Sequence, residues 1–181
     1  MAAVEEMNIR GVKFTMRDLA KRLSVSKTSL YENFSSKNEL IHDIITTATQ
    51  DIQSQEEIIY NNSELSLAEK ISLLLKITPI TLGPVNNYRL YDELQHYYPK
   101  EFQIIEKFKK EQLQRLLALI EQGMASNAIR PVSTNVLRQL IVSAMNDLFS
   151  YRFLSESNMT FPDALAAMSD IIVNGLLPPK V

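Results

Sequence analysis

The stretch LSVSKTSLYENF, residues 23–34, decides how this chain is read. Ser24-Val25-Ser26 has the chemistry of a short turn, and Ser26 is placed to N-cap a helix over residues 27–34. That helix has two apolar anchors, Leu30 and Phe34, one turn apart. Lys27, Thr28, Ser29, Tyr31, Glu32 and Asn33 cover the remainder with hydrogen-bonding groups. So short a helix draws its stability from packing, and here the packing edge is thin. The polar face is therefore the part to explain.

The residues just upstream supply the frame. Thr15 starts a helix with Asp18 three residues on, a capping-box pair. Met16, Leu19, Ala20 and Leu23 then recur at i, i+3, i+4 and i+7, an amphipathic stripe. Helix, three-residue turn and second helix make a helix-turn-helix, whose second helix enters the DNA major groove. The outer residues suit base edges: Lys27 for guanine, Asn33 for adenine, Glu32 for cytosine N4, the Thr28 methyl for thymine. Tyr31 suits a phosphate. Lys37 and Thr15, the latter at a helix N-terminus, are candidate phosphate clamps. Read by spacing alone, a structural helical hairpin with a polar outer face is the more common account of the pattern.

Charge is distributed to match. The chain of 181 residues carries a formal net charge of −2. Within residues 10–37, Arg10, Lys13, Arg17, Lys21, Arg22, Lys27 and Lys37 oppose only Asp18 and Glu32, a net +5, which leaves −7 on the rest. A basic island on an acidic body is the footprint of a local polyanion contact.

Residues 14–40, FTMRDLAKRLSVSKTSLYENFSSKNEL, resemble the signature of the TetR family of bacterial transcription regulators. The matching elements are Thr15, the MRDLA helix, VSK, LY followed three residues later by F, and SK-x-EL, without a gap. The resemblance implies DNA contacts at Thr15, Ser26, Lys27, Thr28, Ser29, Tyr31, Asn33 and Lys37. It also implies a homodimer on a palindromic double-stranded operator and a helical C-terminal domain that binds an inducer or a partner. The chain departs from the family pattern at Thr28, often Gly, and at Glu32-Asn33, often aromatic or His. Asn127 stands where Gly is common, and Asn tolerates the left-handed backbone required there.

The remainder reads as an all-α chain of about nine helices. Residues 1–10 end a first helix at Gly11. A long fourth helix runs from Ser35 or Ser36 to about Ile59. Ser66, with Glu69, caps a fifth whose apolar run reaches Leu82, with Pro79 expected to kink or end the helix. Asn86 or Asn87 starts a short aromatic helix. Pro99 opens a long helix to about Gln122, closed by Gly123. Thr134 and Thr160 cap the last two, ending near Tyr151 and Leu177, with 154–160 as a loop. The expected division is a helix-turn-helix domain at 1–46 and a ligand-binding and dimerisation domain at 47–181.

Apolar residues on two sides of the last two helices point to a dimer built on Leu137, Ile141, Ala144, Met145, Leu148, Ala164, Met168, Ile171 and Ile172. Polar and aromatic residues among apolar helices nominate a pocket from Thr78, Tyr88, Tyr91, His96, Phe102, Asn146 and Phe149, suited to a small apolar or aromatic effector. No catalytic motif, cofactor or metal is expected, since His42 and His96 lack partners and Cys is absent. Lacking a signal segment and a membrane span, the chain is expected in the cytoplasm. The function these features favour is ligand-released repression. The alternative is a DNA-bound adaptor of the same fold that takes a protein partner.

Overall fold

Local capping sets the N-terminal helices. In the computed structural model, which describes residues 1–81, 89–148 and 151–178, α1 spans Ala2–Arg10 and stops at Gly11, whose φ of 63° is easy only for glycine. A 3-10 turn, Gly11–Lys13, leads to Thr15. The Thr15 hydroxyl accepts from the Asp18 N–H, and the Asp18 carboxylate accepts from the Thr15 N–H at 2.8 Å, the reciprocal box that starts α2, Met16–Leu23. Ser24 takes the left-handed conformation, and the Ser26 hydroxyl accepts from Ser29 N–H at 2.9 Å to start α3, Lys27–Asn33. Helix α4, Lys37–Asn61, is capped by Ser36, whose hydroxyl accepts from Glu39 N–H, while the Glu39 carboxylate returns to the Ser35 N–H.

Further along are α5 (Leu67–Lys76), α6 (Leu90–Tyr97), α7 (Pro99–Ala125), α8 (Thr134–Leu148), α9 (Tyr151–Ser157) and α10 (Phe161–Leu176). No strand occurs among the described residues. No described helix is long and apolar enough to cross a membrane.

Two compact units result: Met1–Gln53 with Pro79–Phe108, and Ser54–Thr78 with Lys109–Val181. Helices α4 and α7 contribute residues to both. The first unit closes around Val12, Phe14, Leu19, Leu30, Ile41, Leu90, Leu94 and Tyr98. The second closes around Ile71, Leu75, Leu117, Ile120, Ile141, Leu165 and Leu176. Each fully buried Phe, Leu or Ile stabilises its unit by about 1.5–3 kcal/mol.

Helix α5 stops at Lys76, short of Pro79, the residue expected to kink or end it. Three sequence expectations change. Gly123 does not close α7; it lies inside the helix, where a Cβ would come within 2.4 Å of a Leu67 methyl, and the left-handed turn falls at Asn127, φ 60°. Part of the expected 154–160 loop is helix α9, whose Leu154 is fully buried. Leu23, placed on the apolar stripe, ends α2 and is 44% exposed. The expected start of the aromatic helix at Asn86 or Asn87 lies outside the described residues.

Candidate nucleic-acid interface

Helix α3 divides as its composition requires. Leu30 is buried and Phe34 is partly buried against the same core, whereas every residue from Lys21 to Ser29 is exposed, as are Tyr31, Glu32 and Asn33. The expected base-reading groups thus share one short, solvent-facing helix. Their local bonds differ. Thr28 and Glu32 stand exposed. The Lys27 ammonium lies 5.4 Å from the Tyr31 ring centroid, a cation–π pair. The Asn33 amide donates to the Ser29 carbonyl at 3.0 Å, a bond that an adenine contact would have to replace.

The two candidate clamps are more committed. The Thr15 hydroxyl is 2.7 Å from the Asp18 carboxylate. The bonds from Thr15 hold the Asp18 carboxyl below its usual pKa. The Lys37 ammonium donates to the Val12 carbonyl and sits 4.5 Å from the Phe14 ring centroid. Burial pushes its pKa down, and the nearby Asp18 charge pulls it back up.

The basic island is partly neutralised from outside the window that defined it. Arg22 bonds Glu6 at 2.6 Å and Glu5 at 3.0 Å, and Arg10 pairs with Glu6 at 3.1 Å and Asp18 at 3.6 Å. Glu6 is 4% exposed, so this network ties α1 to α2. Lys13, Arg17, Lys21 and Lys27 remain as exposed cations around the helix pair.

A frame of three helices, with a capped turn and an exposed polar third helix, is the geometry by which helix-turn-helix proteins address DNA. Residues 1–44 match the model of the bacterial regulatory proteins, tetR family. In residues 1–44 the chain carries the TetR-family DNA-binding segment. It is a TetR-type transcription regulator with a DNA-binding helix-turn-helix. It is 26% identical over 167 residues to the uncharacterized HTH-type transcriptional regulator YvaF of Bacillus subtilis (strain 168), spanning 92% of this chain and 87% of that one. The TetR-family regulator PfmR from Thermus thermophilus superposes with a TM-score of 0.69 at 19% identity, over 98% of this chain and 97% of that one. The regulator FadR from Bacillus subtilis, solved with stearoyl-CoA, gives 0.66 at 18% identity, over 97% and 96%. These two likenesses establish the fold throughout the regulator.

Of the expected pocket residues, Tyr91, His96 and Phe102 belong to the first unit and Thr78 and Asn146 to the second. Tyr91 and Phe102 pack edge to face at 4.8 Å, and the Tyr91 hydroxyl donates to Glu106. Burial, helped by Glu106, raises the Tyr91 pKa. His96 is exposed, its ring edge-on to Tyr97. Thr78 belongs to the second unit, where its carbonyl accepts from Gln55, and Asn146 there is exposed. Tyr88 and Phe149 lie outside the described residues.

A polar cluster the sequence reading missed is built around Glu56, which is 3% exposed. It accepts from Gln112 at 3.1 Å and Arg115 at 3.2 Å. Arg115 also bonds Glu57 at 2.7 Å and stacks on the Tyr60 ring at 4.5 Å. Burial lifts the Glu56 pKa, against the pull of Gln112 and Arg115, and raises that of Tyr60 to about 12. A Glu and an Arg that meet across 59 residues leave no periodic signal in the sequence.

The expected dimer residues divide by side. Leu137, Ile141, Ala164 and Met168 are buried in their own unit, and Ala144, Met145, Leu148 and Ile172 are partly buried against it. Only Ile171 faces outward, 72% exposed, joined on the same helices by Val136 at 58% and Leu140 at 61%.

Proposed function

We propose that this regulator is a repressor that binds a palindromic operator as a homodimer and is released by a small-molecule effector. In this reading residues 1–46 bind DNA and 47–181 carry effector binding and dimerisation. The observation that carries it is α3: Leu30 buried, with Lys27, Thr28, Glu32 and Asn33 exposed on one short helix. Lys27 reads guanine, Asn33 adenine, Glu32 cytosine and the Thr28 methyl thymine, while Thr15, Ser26, Ser29, Tyr31 and Lys37 set the frame and the phosphate contacts.

Two α3 helices reach successive half-sites only in a dimer, with a separation of about 34–36 Å. The exposed Val136, Leu140 and Ile171 supply an apolar surface for that pairing. An effector acts by binding better to a form whose α3 separation does not fit the operator. Helix α4 contributes to both units and is the natural carrier of that change. FadR, of the same fold, is solved with stearoyl-CoA, which makes a coenzyme A thioester the first effector to try.

The test is a gel-shift series across the DNA upstream of the regulator's own gene, with stearoyl-CoA, free coenzyme A or neither. The expected result is a retarded fragment released by the thioester. Absence of retardation on every fragment would overturn the operator reading. Retardation untouched by a broad metabolite extract would favour the adaptor that takes a protein partner.

A further inference from the structure

We propose that Glu93, on α6, is a positioning residue for DNA binding, acting through the backbone N–H of Val12. The inference rests on the DNA-binding reading of α3 and adds to it a side chain 81 residues away from the corner it holds.

Val12 is 2% exposed, in the turn between α1 and α2, so its N–H and carbonyl both need partners. Each is met by a charge. The Glu93 carboxylate accepts from the Val12 N–H at 2.8 Å. The Lys37 ammonium donates to the Val12 carbonyl from α4. The N–H and the carbonyl belong to the two peptide groups on either side of the Val12 Cα, so the anion and the cation each hold one of two successive peptide planes by a charge-assisted bond. Lys37 is further held over Phe14 at 4.5 Å and Tyr98 at 5.9 Å, and Lys13 lies 5.2 Å from the Tyr97 ring. The end of α6 therefore grips the corner at Val12, Lys13 and Lys37. Thr15, which caps α2, follows directly.

Gly11 makes room for this. At φ +63° a Cβ would lie 1.9 Å from the Glu93 Oε2, inside the carboxylate itself. The glycine serves the backbone angle and the approach of Glu93 together. Glu93 is itself an anion, so its effect on DNA is through the attitude of α2 and α3.

The experiment uses full-length protein and a 30-base-pair duplex selected from a random pool by the wild type. Glu93→Ala should weaken binding by roughly tenfold, the scale of one charge-assisted hydrogen bond, with an unchanged salt slope because no phosphate contact is lost. Glu93→Gln, whose amide oxygen still accepts from Val12, should stay near the wild type. Gly11→Ala, which displaces the carboxylate and also strains a backbone at φ +63°, should lose at least as much as Glu93→Ala. Melting curves without DNA confirm that each is folded at the assay temperature. If Glu93→Ala does not fold, Gly11→Ala and Glu93→Gln carry the test. Wild-type affinity in a folded Glu93→Ala or Gly11→Ala protein, or a Glu93→Gln loss as large as the alanine loss, would overturn the proposal. Lys27→Ala is the control: if it too leaves binding unchanged, the reading of α3 fails rather than the role of Glu93.

Discussion

Lys37 shows what the register of a motif conveys and what it leaves out. Its position at the first residue of α4 marks it as a cation near DNA, yet its ammonium is held by the Val12 carbonyl and the Phe14 face. Lys37→Met should therefore destabilise the protein by about 1–2 kcal/mol, because a buried carbonyl loses a charged donor. For a chain of this size that is a fall in melting temperature of about 2–8 °C. Lys27→Ala should do the reverse: no change in melting, with a loss of about 1–3 kcal/mol in base discrimination measured against a panel of single-base operator variants. Which α3 residues are buried and which are exposed was legible from residues 23–34, since burial and exposure there follow a single turn of helix. Glu93 was not legible. Nothing periodic connects residue 93 with residue 12, and its carboxylate looks like any surface charge on α6.

At the scale of the element, caps were the most readable feature. Thr15 with Asp18, Ser66 with Glu69, and Thr160 with Asp163 each close within three residues, so the sequence contains the whole interaction. These caps also set the acid response. Hydrogen bonds from Thr15, Ser35 and Ser66 lower the pKa values of Asp18, Glu39 and Glu69, so the stability they give is present above the unfolded carboxylate values and is lost as pH falls through the folded ones. Glu56 has the opposite sign. Burial raises its folded pKa from the ordinary Glu value, so the folded form holds its proton longer and stability declines as pH rises through the interval between the two. Melting temperatures of wild type and Glu56→Gln from pH 4 to 8 should show the wild type losing ground to the variant as pH rises from the ordinary Glu value of about 4.3; a gap that closes instead would reject this. Glycines inside helices were read less well. Gly123 looked like a stop because its crowding by Leu67 and Ile129 is a tertiary fact. Gly175, in α10, has no atom within 4 Å of its would-be Cβ. Gly175→Ala should raise the melting temperature by about 2–4 °C through helix propensity alone, whereas at Gly123 the same gain of up to about 1 kcal/mol is offset by overpacking, and no rise is expected.

For the whole molecule, the two-sided apolarity of α8 and α10 was visible, but not which side a partner would meet. Hydrophobic period gives two stripes; only packing shows that Leu137, Ile141 and Met168 belong to the regulator's own core, leaving Val136, Leu140 and Ile171 outside. Leu140→Glu or Ile171→Glu should thus yield a folded monomer by light scattering, while Leu137→Glu should fail to fold, since it places an unpaired charge in the core. A dimer that survives both surface changes would move the interface elsewhere. The pairing of Glu93 with Val12 has a practical corollary for building chimaeras. Exchanging residues 1–46 between two such regulators would carry over Gly11 and Val12 but leave behind the carboxylate that fills the space beside them. The recipient body would need Glu at the matching place, or the donated turn would bring an unpaired N–H. The compact unit that holds the helix-turn-helix is two pieces of chain, Met1–Gln53 together with Pro79–Phe108, and a graft that moves only the first should express as a folded protein with a poorly aimed α3.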